Sequence, residues 1–194
     1  MAAVEAGADM IEIGNFDGLY EQNILFSADD IVSLTKETRR LLPETPLSVT
    51  IPHSLPLDEQ IALAMRLEAC GADVLQTEGK LSANAASMGV QQLLEVAAPT
   101  LASAYALSRA VSIPVMCASG LTDVTAPLAL AMGARGVGIG SMVNKLSSLN
   151  QMVLATSSIT AALGRSSQQK PQEGMEMKSQ EVLSSSSAAV AQSL

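Results

Sequence analysis

The chain has no tryptophan, two tyrosines, two phenylalanines and one histidine in 194 residues. So few rings exclude base-stacking platforms for nucleic acid and aromatic cages for cations. Lysine and arginine number 11 against 19 aspartates and glutamates, a net charge of −8. No basic cluster interrupts that balance, so a protein that grips a phosphate backbone is excluded. Two cysteines, Cys70 and Cys117, are too few for a disulfide framework and imply a reducing compartment. With one histidine and no cysteine pair at ligand spacing, no metal site is expected. The longest apolar runs, 101–118 and 126–143, are each interrupted by an arginine and by Ser, Pro or Gly. Neither reads as a membrane span. The opening residues, Met1 to Glu5, lack the basic start and apolar run of a signal peptide.

What remains is an apolar, Met- and Ala-rich chain, 48% hydrophobic. It is long enough for one domain with a real core. That domain is read over 1–163. From 164 to 194 the composition shifts to serine and glutamine without sustained periodicity, which reads as a disordered tail.

Three segments repeat a theme: Gly7-Ala8-Asp9-Met10-Ile11-Glu12-Ile13, Gly71-Ala72-Asp73-Val74-Leu75-Gln76-Thr77 and Gly133-Ala134-Arg135-Gly136-Val137-Gly138-Ile139. Each opens with a glycine that can stop a helix in the left-handed conformation, and each continues as a short apolar strand. A further strand fits in each interval, at 47–51 and 113–118. Five strands are expected, at 9–14, 47–51, 73–77, 113–118 and 135–139, alternating with helices in βα units of a parallel α/β sheet. Ser27 to Asp30 has the form of a capping box. Pro56 precedes a helix expected to turn Leu57, Ile61, Ala64 and Met65 to one side. Pro99 is expected to divide two helical segments, Met88 to Ala97 and Thr100 to Val111. Thr122 is read as the cap of a helix running to Met132, and Ser141 as the start of another containing Lys145. A unit of about 31 residues is that of a (β/α)8 barrel of roughly 250 residues, so the repeats lie about two units apart. The TIM barrel is favoured, and a doubly wound sheet is the competitor. Eight strands close a barrel, so five imply an incomplete one with open edges and a tendency to self-associate, a possible homo-oligomer.

In a barrel the chemistry lies at the C-terminal strand ends. No lysine stands there, which disfavours Schiff-base chemistry. Gly136-Val137-Gly138-Ile139-Gly140-Ser141 is a glycine-rich strand end whose backbone N–H groups can approach an anion. Ser119 and Gly120, after the preceding strand, can form the opposite wall. A phosphorylated small molecule is the expected ligand, with Ser119, Gly120, Gly138, Gly140 and Ser141 holding it. The plainer alternative is a crowded strand–helix turn. Glu12 shares a strand face with Met10 and Gly14. On a lumen face, burial would suit it to acid–base work, and a carboxylate satisfied by a buried partner is the alternative. His53 could relay a proton or could simply be an exposed loop histidine. Glu78 ends a polar strand terminus with Gln76 and Thr77, and the loop from Gly79 to Ser87 is either a lid or a solvated connection.

Five ordered stretches, Glu5 to Asn15, Leu47 to His53, Gly71 to Gly79, Ser112 to Leu121 and Gly138 to Leu146, resemble the hypothetical chloroplast reading frame twenty-three (ycf-type) family of plastids and cyanobacteria. The resemblance spans nearly all of 1–163. It implies an aldolase-type TIM barrel and a plastid stroma or cyanobacterial cytoplasm, and it brings no established reaction or cofactor. The Ser/Gln-rich tail departs from the family's compact ending and points to a nuclear-encoded version, which would need a transit peptide that this chain lacks. The Glu-x-Gly strand end is similar to that of indole-glycerol-phosphate-cleaving barrels. The leading expectation is therefore a lyase or isomerase acting on a small phosphorylated metabolite, with Glu12, His53 and Glu78 as catalytic candidates. An FMN-binding oxidoreductase and a non-catalytic metabolite-binding regulator are the alternatives.

Overall fold

A computed structural model describes residues 1–14, 17–20, 22–79 and 88–168. The elements run α1 (Ala2–Glu5), β1 (Ile11–Ile13), α2 (Asp17–Tyr20), α3 (Ala28–Leu41), β2 (Leu47–Ile51), α4 (Leu57–Ala69), β3 (Val74–Thr77), α5 (Val90–Ala110), β4 (Val115–Ala118), α6 (Ala126–Ala131), β5 (Gly136–Gly138), α7 (Ser141–Asn144) and α8 (Leu149–Gln168). Two units separate, Met1–Leu163 and Gly164–Leu194, and the five strands belong to the first.

The strands are all parallel and stand in sequence order, β1-β2-β3-β4-β5. A doubly wound sheet reverses its order at a switch point; this one never does. Right-handed crossovers then bring the connecting helices α3 to α6 to the same face, as in a TIM-barrel wall. Successive helices α3, α4, α5 and α6 accordingly pack on one another and on the strands beneath them. Gly7, Gly71 and Gly133 take φ of +96°, +90° and +102°, the helix-stopping conformation that the repeat implies.

Register divides the strand residues between two faces. Val49 pairs with Leu75, Leu75 with Val115 and Cys117 with Val137. With Leu47 and Ile51 these meet the helices, where Ile31, Leu63, Leu67 and Leu107 complete a fully buried cluster. Over β4 and β5 the cluster changes to Ala97, Ala104, Ala129 and Ala134, small side chains that let α5 and α6 approach closely. The other face carries Glu12, Ser48, Thr50, Val74, Gln76 and Met116.

The Ser27 capping box forms, with the Ser27 hydroxyl accepting from the Asp30 N–H and the Asp30 carboxylate accepting from the Ser27 N–H. Four other expectations are corrected. In α4 the buried residues are Gln60, Leu63, Ala64 and Leu67, whereas Leu57 and Met65 are 45% and 54% exposed. Gln60 misleads because its buried amide donates to the Leu55 carbonyl (2.8 Å) and accepts from the Ser103 hydroxyl (2.7 Å), so a polar residue occupies a core position without penalty. Pro99 lies inside one continuous helix, α5, and does not divide two. A proline there removes one backbone hydrogen bond, at a cost of about 3 kcal/mol. Full burial of Ala97, Thr100 and Ala104 on either side offsets it. The helix after Thr122 begins only at Ala126, because Thr122 and Thr125 bond to each other's backbone N–H and hold a turn first. Residues 164–168 are helical in α8, since a lone Gly164 is too weak a breaker to end it. The tail from 169 onward, and the loop residues 80–87, lie outside the described residues.

Candidate functional site

Four strand ends meet around a cavity of about 480 Å3 lined by Glu12, Gly14, Thr50, Gln76, Thr77, Glu78, Ala118 and Ser119. All come from the C-terminal halves of β1 to β4 or the residues just beyond them. That volume lies within the range of small-molecule sites.

Glu12 stands on the lumen side, as alternation predicts, and one of its oxygens, Oε1, accepts from Thr50 Oγ1 (3.2 Å) and Gln76 Nε2 (3.2 Å). Its environment differs from the expected one: Glu12 is exposed, because the strand beside it on the far side of β1 has no counterpart among the described residues. Gly14 explains the Glu-x-Gly spacing. A Cβ at that position would run into the Thr50 hydroxyl and come within 3.0 Å of Glu12 Oε1, so only glycine leaves this pair in place.

Glu78 is the opposite kind of carboxylate, its side chain only 5% exposed. Burial of an ionised group demands donors, and three converge on Oε2: the Tyr20 hydroxyl (2.9 Å), the His53 backbone N–H (3.0 Å) and His53 Nδ1 (3.0 Å). An ionised carboxylate only accepts, so against an ionised Glu78 it is Nδ1 that donates in this contact. The Tyr20 ring meets the His53 ring edge-on, centroids 5.4 Å apart at 72°. His53 is therefore no free loop histidine; it is fixed to the carboxylate at the end of β3. The alignment of Tyr20 is invisible to strand and helix patterning. Its only signal is that it is one of two tyrosines and follows the first strand.

Ser119 closes the cavity after β4 with φ +77°, a left-handed conformation that a residue with a side chain rarely holds. The following Gly120 has φ +68°, and a Cβ on it would stand 2.7 Å from the Val96 carbonyl oxygen. Packing against α5 is thus reason enough for that glycine. Behind the wall, Thr77 and Thr100 share a hydrogen bond, and Thr100 Oγ1 donates to the Ala118 carbonyl (2.5 Å). Burial pushes the neighbouring Cys117 thiol upward, so it is an inert packing group. Gly138 pairs with Ala118 in the ladder, while Gly140 and Ser141 are exposed and lie outside the cavity lining. The helix they open, α7, has four residues, and Lys145 is its C-cap rather than a member. So short a helix adds little dipole, and an anion there would depend on individual N–H groups. Among the described residues no group of three or more His, Cys, Asp or Glu could hold a metal ion, and no helix is long and apolar enough to cross a membrane.

Many solved structures share this fold, and two of them illustrate it. The crystal structure of 3-hexulose-6-phosphate synthase superposes with a TM-score of 0.57 at 16% identity, covering 84% of this chain and 65% of that one. Dihydrodipicolinate synthase from Agrobacterium tumefaciens gives 0.55 at 18%, covering 74% and 46%. Both are TIM barrels of the aldolase type, and identities this low establish the fold alone. In sequence the chain is 48% identical over 163 residues to the uncharacterized protein ycf23 of Cyanophora paradoxa, covering 84% of this chain and 67% of the relative. It is 38% identical to that of Porphyra purpurea (82% and 60%) and 45% identical to that of Cyanidium caldarium (73% and 57%). The chain thus spans about 57–67% of the length of these relatives. With residues 1–169 matching throughout, it belongs to the family described as protein of unknown function (DUF561).

Proposed function

We propose that this chain performs proton-transfer chemistry, as a lyase or isomerase, on a small phosphorylated metabolite bound at the C-terminal strand ends. The observation that carries the reading is the pair of unlike carboxylates in one cavity. Glu12 is open to a ligand and held by two long hydrogen bonds among the described residues, while Glu78 is buried and bound to His53 and Tyr20. Groups in such contrasting surroundings suit contrasting roles. Glu12 is the general acid–base, and Glu78 fixes the His53 imidazole, which stabilises charge or relays the proton. Ser119, in the cavity lining, and Gly120, Gly138, Gly140 and Ser141, beyond it, are the groups assigned to the phosphate. The polar lining, with no aromatic ring among its described residues, fits a compact metabolite better than a flavin ring. The family's ycf23 members support a plastid home.

The test is proton NMR of the full chain in deuterated water with a panel of phosphate esters. Exchange or conversion of a substrate C–H that Glu12→Gln abolishes supports the reading. Binding without any exchange, indifferent to Glu12→Gln, would replace it with a non-catalytic metabolite sensor. A yellow colour that survives purification would replace it with flavin chemistry.

A further inference from the structure

We infer that the part of the ligand entering this cavity is a polyhydroxylated carbon chain, and that the phosphate stays outside it. This rests on the reading just given and narrows its substrate class. All three donors to Glu78 go to Oε2, and Oε1 of this nearly buried side chain has none among the described residues. It is not among the fully enclosed unpaired atoms, so it opens toward the cavity that Glu78 lines. Both described donors to Glu12 likewise go to Oε1, leaving Oε2 to a ligand. On the same face, paired with Glu12 in register, the buried Ser48 hydroxyl has no partner either.

Two carboxylate oxygens awaiting donors, with no lysine or arginine in the described lining, repel a phosphate and attract groups that donate. Hydroxyls and ammonium both donate. The lining also offers donors of its own, the second amide N–H of Gln76 and the Ser119 hydroxyl, which an ammonium cannot satisfy. A hydroxyl donates to a carboxylate and accepts from its neighbour at once. A sugar or sugar-alcohol chain therefore matches this mixed lining. The Tyr20 hydroxyl and the His53 N–H groups act as positioning groups. They occupy Oε2 and so hold Oε1 toward the ligand.

The experiment is calorimetric titration of the full chain with ribose 5-phosphate, propyl phosphate, phosphoethanolamine and free ribose. A site whose acceptors need hydroxyl donors should favour ribose 5-phosphate over propyl phosphate by at least about tenfold. Glu12→Gln, an exposed change that spares the fold, should remove most of that preference. Tyr20→Phe should reduce it while far-UV circular dichroism stays unchanged. Equal affinity for ribose 5-phosphate and propyl phosphate overturns the inference and leaves the phosphate reading standing. Tightest binding by phosphoethanolamine overturns it in favour of an ammonium ligand. Free ribose binding as well as its phosphate upholds the polyol and removes the phosphate from the proposed function. Silence from all four probes at millimolar concentration overturns both.

Discussion

The two faces of the five-stranded sheet are made from alternate residues of the same strands, yet they differ in almost every physical respect. Toward the helices stand Leu47, Val49, Ile51, Leu75 and Val115, each at most 1% exposed. Toward the lumen stand Glu12, Ser48, Thr50 and Gln76, whose polar groups bond to one another across strands or wait for a partner. The helix face is saturated and the lumen face is not. A saturated face gains nothing by binding, so it holds the fold. An unsatisfied face could recover stability from a ligand, which is why the proposed site lies there. The same division separates the strand ends: at the N-terminal side Arg39 satisfies the Gly71, Leu42, Pro43 and Thr45 carbonyls and the Asp73 carboxylate, a purely structural knot.

Substitutions sharpen that comparison. Leu75→Ala, on the helix face, should cost roughly 2–5 kcal/mol in chemical denaturation and leave the cavity's ligand preference unchanged in whatever folded fraction remains. Thr100→Val removes the hydroxyl bonded to Thr77 and the Ala118 carbonyl and should cost about 1–3 kcal/mol. Because it loosens the β4 end that carries Ser119, it should also weaken ligand binding. Gly14→Ala forces Thr50 and Glu12 apart, and overpacking of this kind costs about 1–3 kcal/mol. Its larger effect should be on binding, read in the same titration. If Gly14→Ala binds normally, the lumen face is not the working one.

The smallest effect concerns pH and lies outside both faces. The Ser112 hydroxyl, then the Ser112 and Ile113 N–H groups, bond the Glu68 carboxylate and hold it below its ordinary value. A carboxyl depressed in the folded state stabilises above its unfolded value and loses that contribution as pH falls through the folded one. Melting curves of Glu68→Gln and the parent should converge in acid and separate slightly near neutrality, with the parent the more stable.

Strand positions were legible because helix-stopping glycines precede β1, β3 and β5, and short apolar runs in the intervals mark β2 and β4; β2 falls at 47–51, as the pattern places it. The lumen orientation of Glu12 was legible for the same reason, since alternation needs no tertiary knowledge. Gln60 and Pro99 misled because each breaks a local rule that a distant partner repairs, Ser103 for the amide and the packed neighbours of Thr100 for the helix. The Tyr20–Glu78–His53 cluster joins residues 25 and 58 positions apart through loops, which no periodicity records. The glycines at 120 and 138 read as an anion loop in sequence, yet packing against Val96 and pairing with Ala118 already account for them.

The claim that one face folds and the other binds is tested most directly by thermal melting of Glu12→Gln, with and without ribose 5-phosphate. The account predicts an apo melting temperature equal to that of the parent, because Glu12 is exposed, and loss of the upward shift that the ligand gives the parent. A lowered apo melting temperature with the ligand shift intact would contradict it, making Glu12 a structural carboxylate and moving the binding site elsewhere.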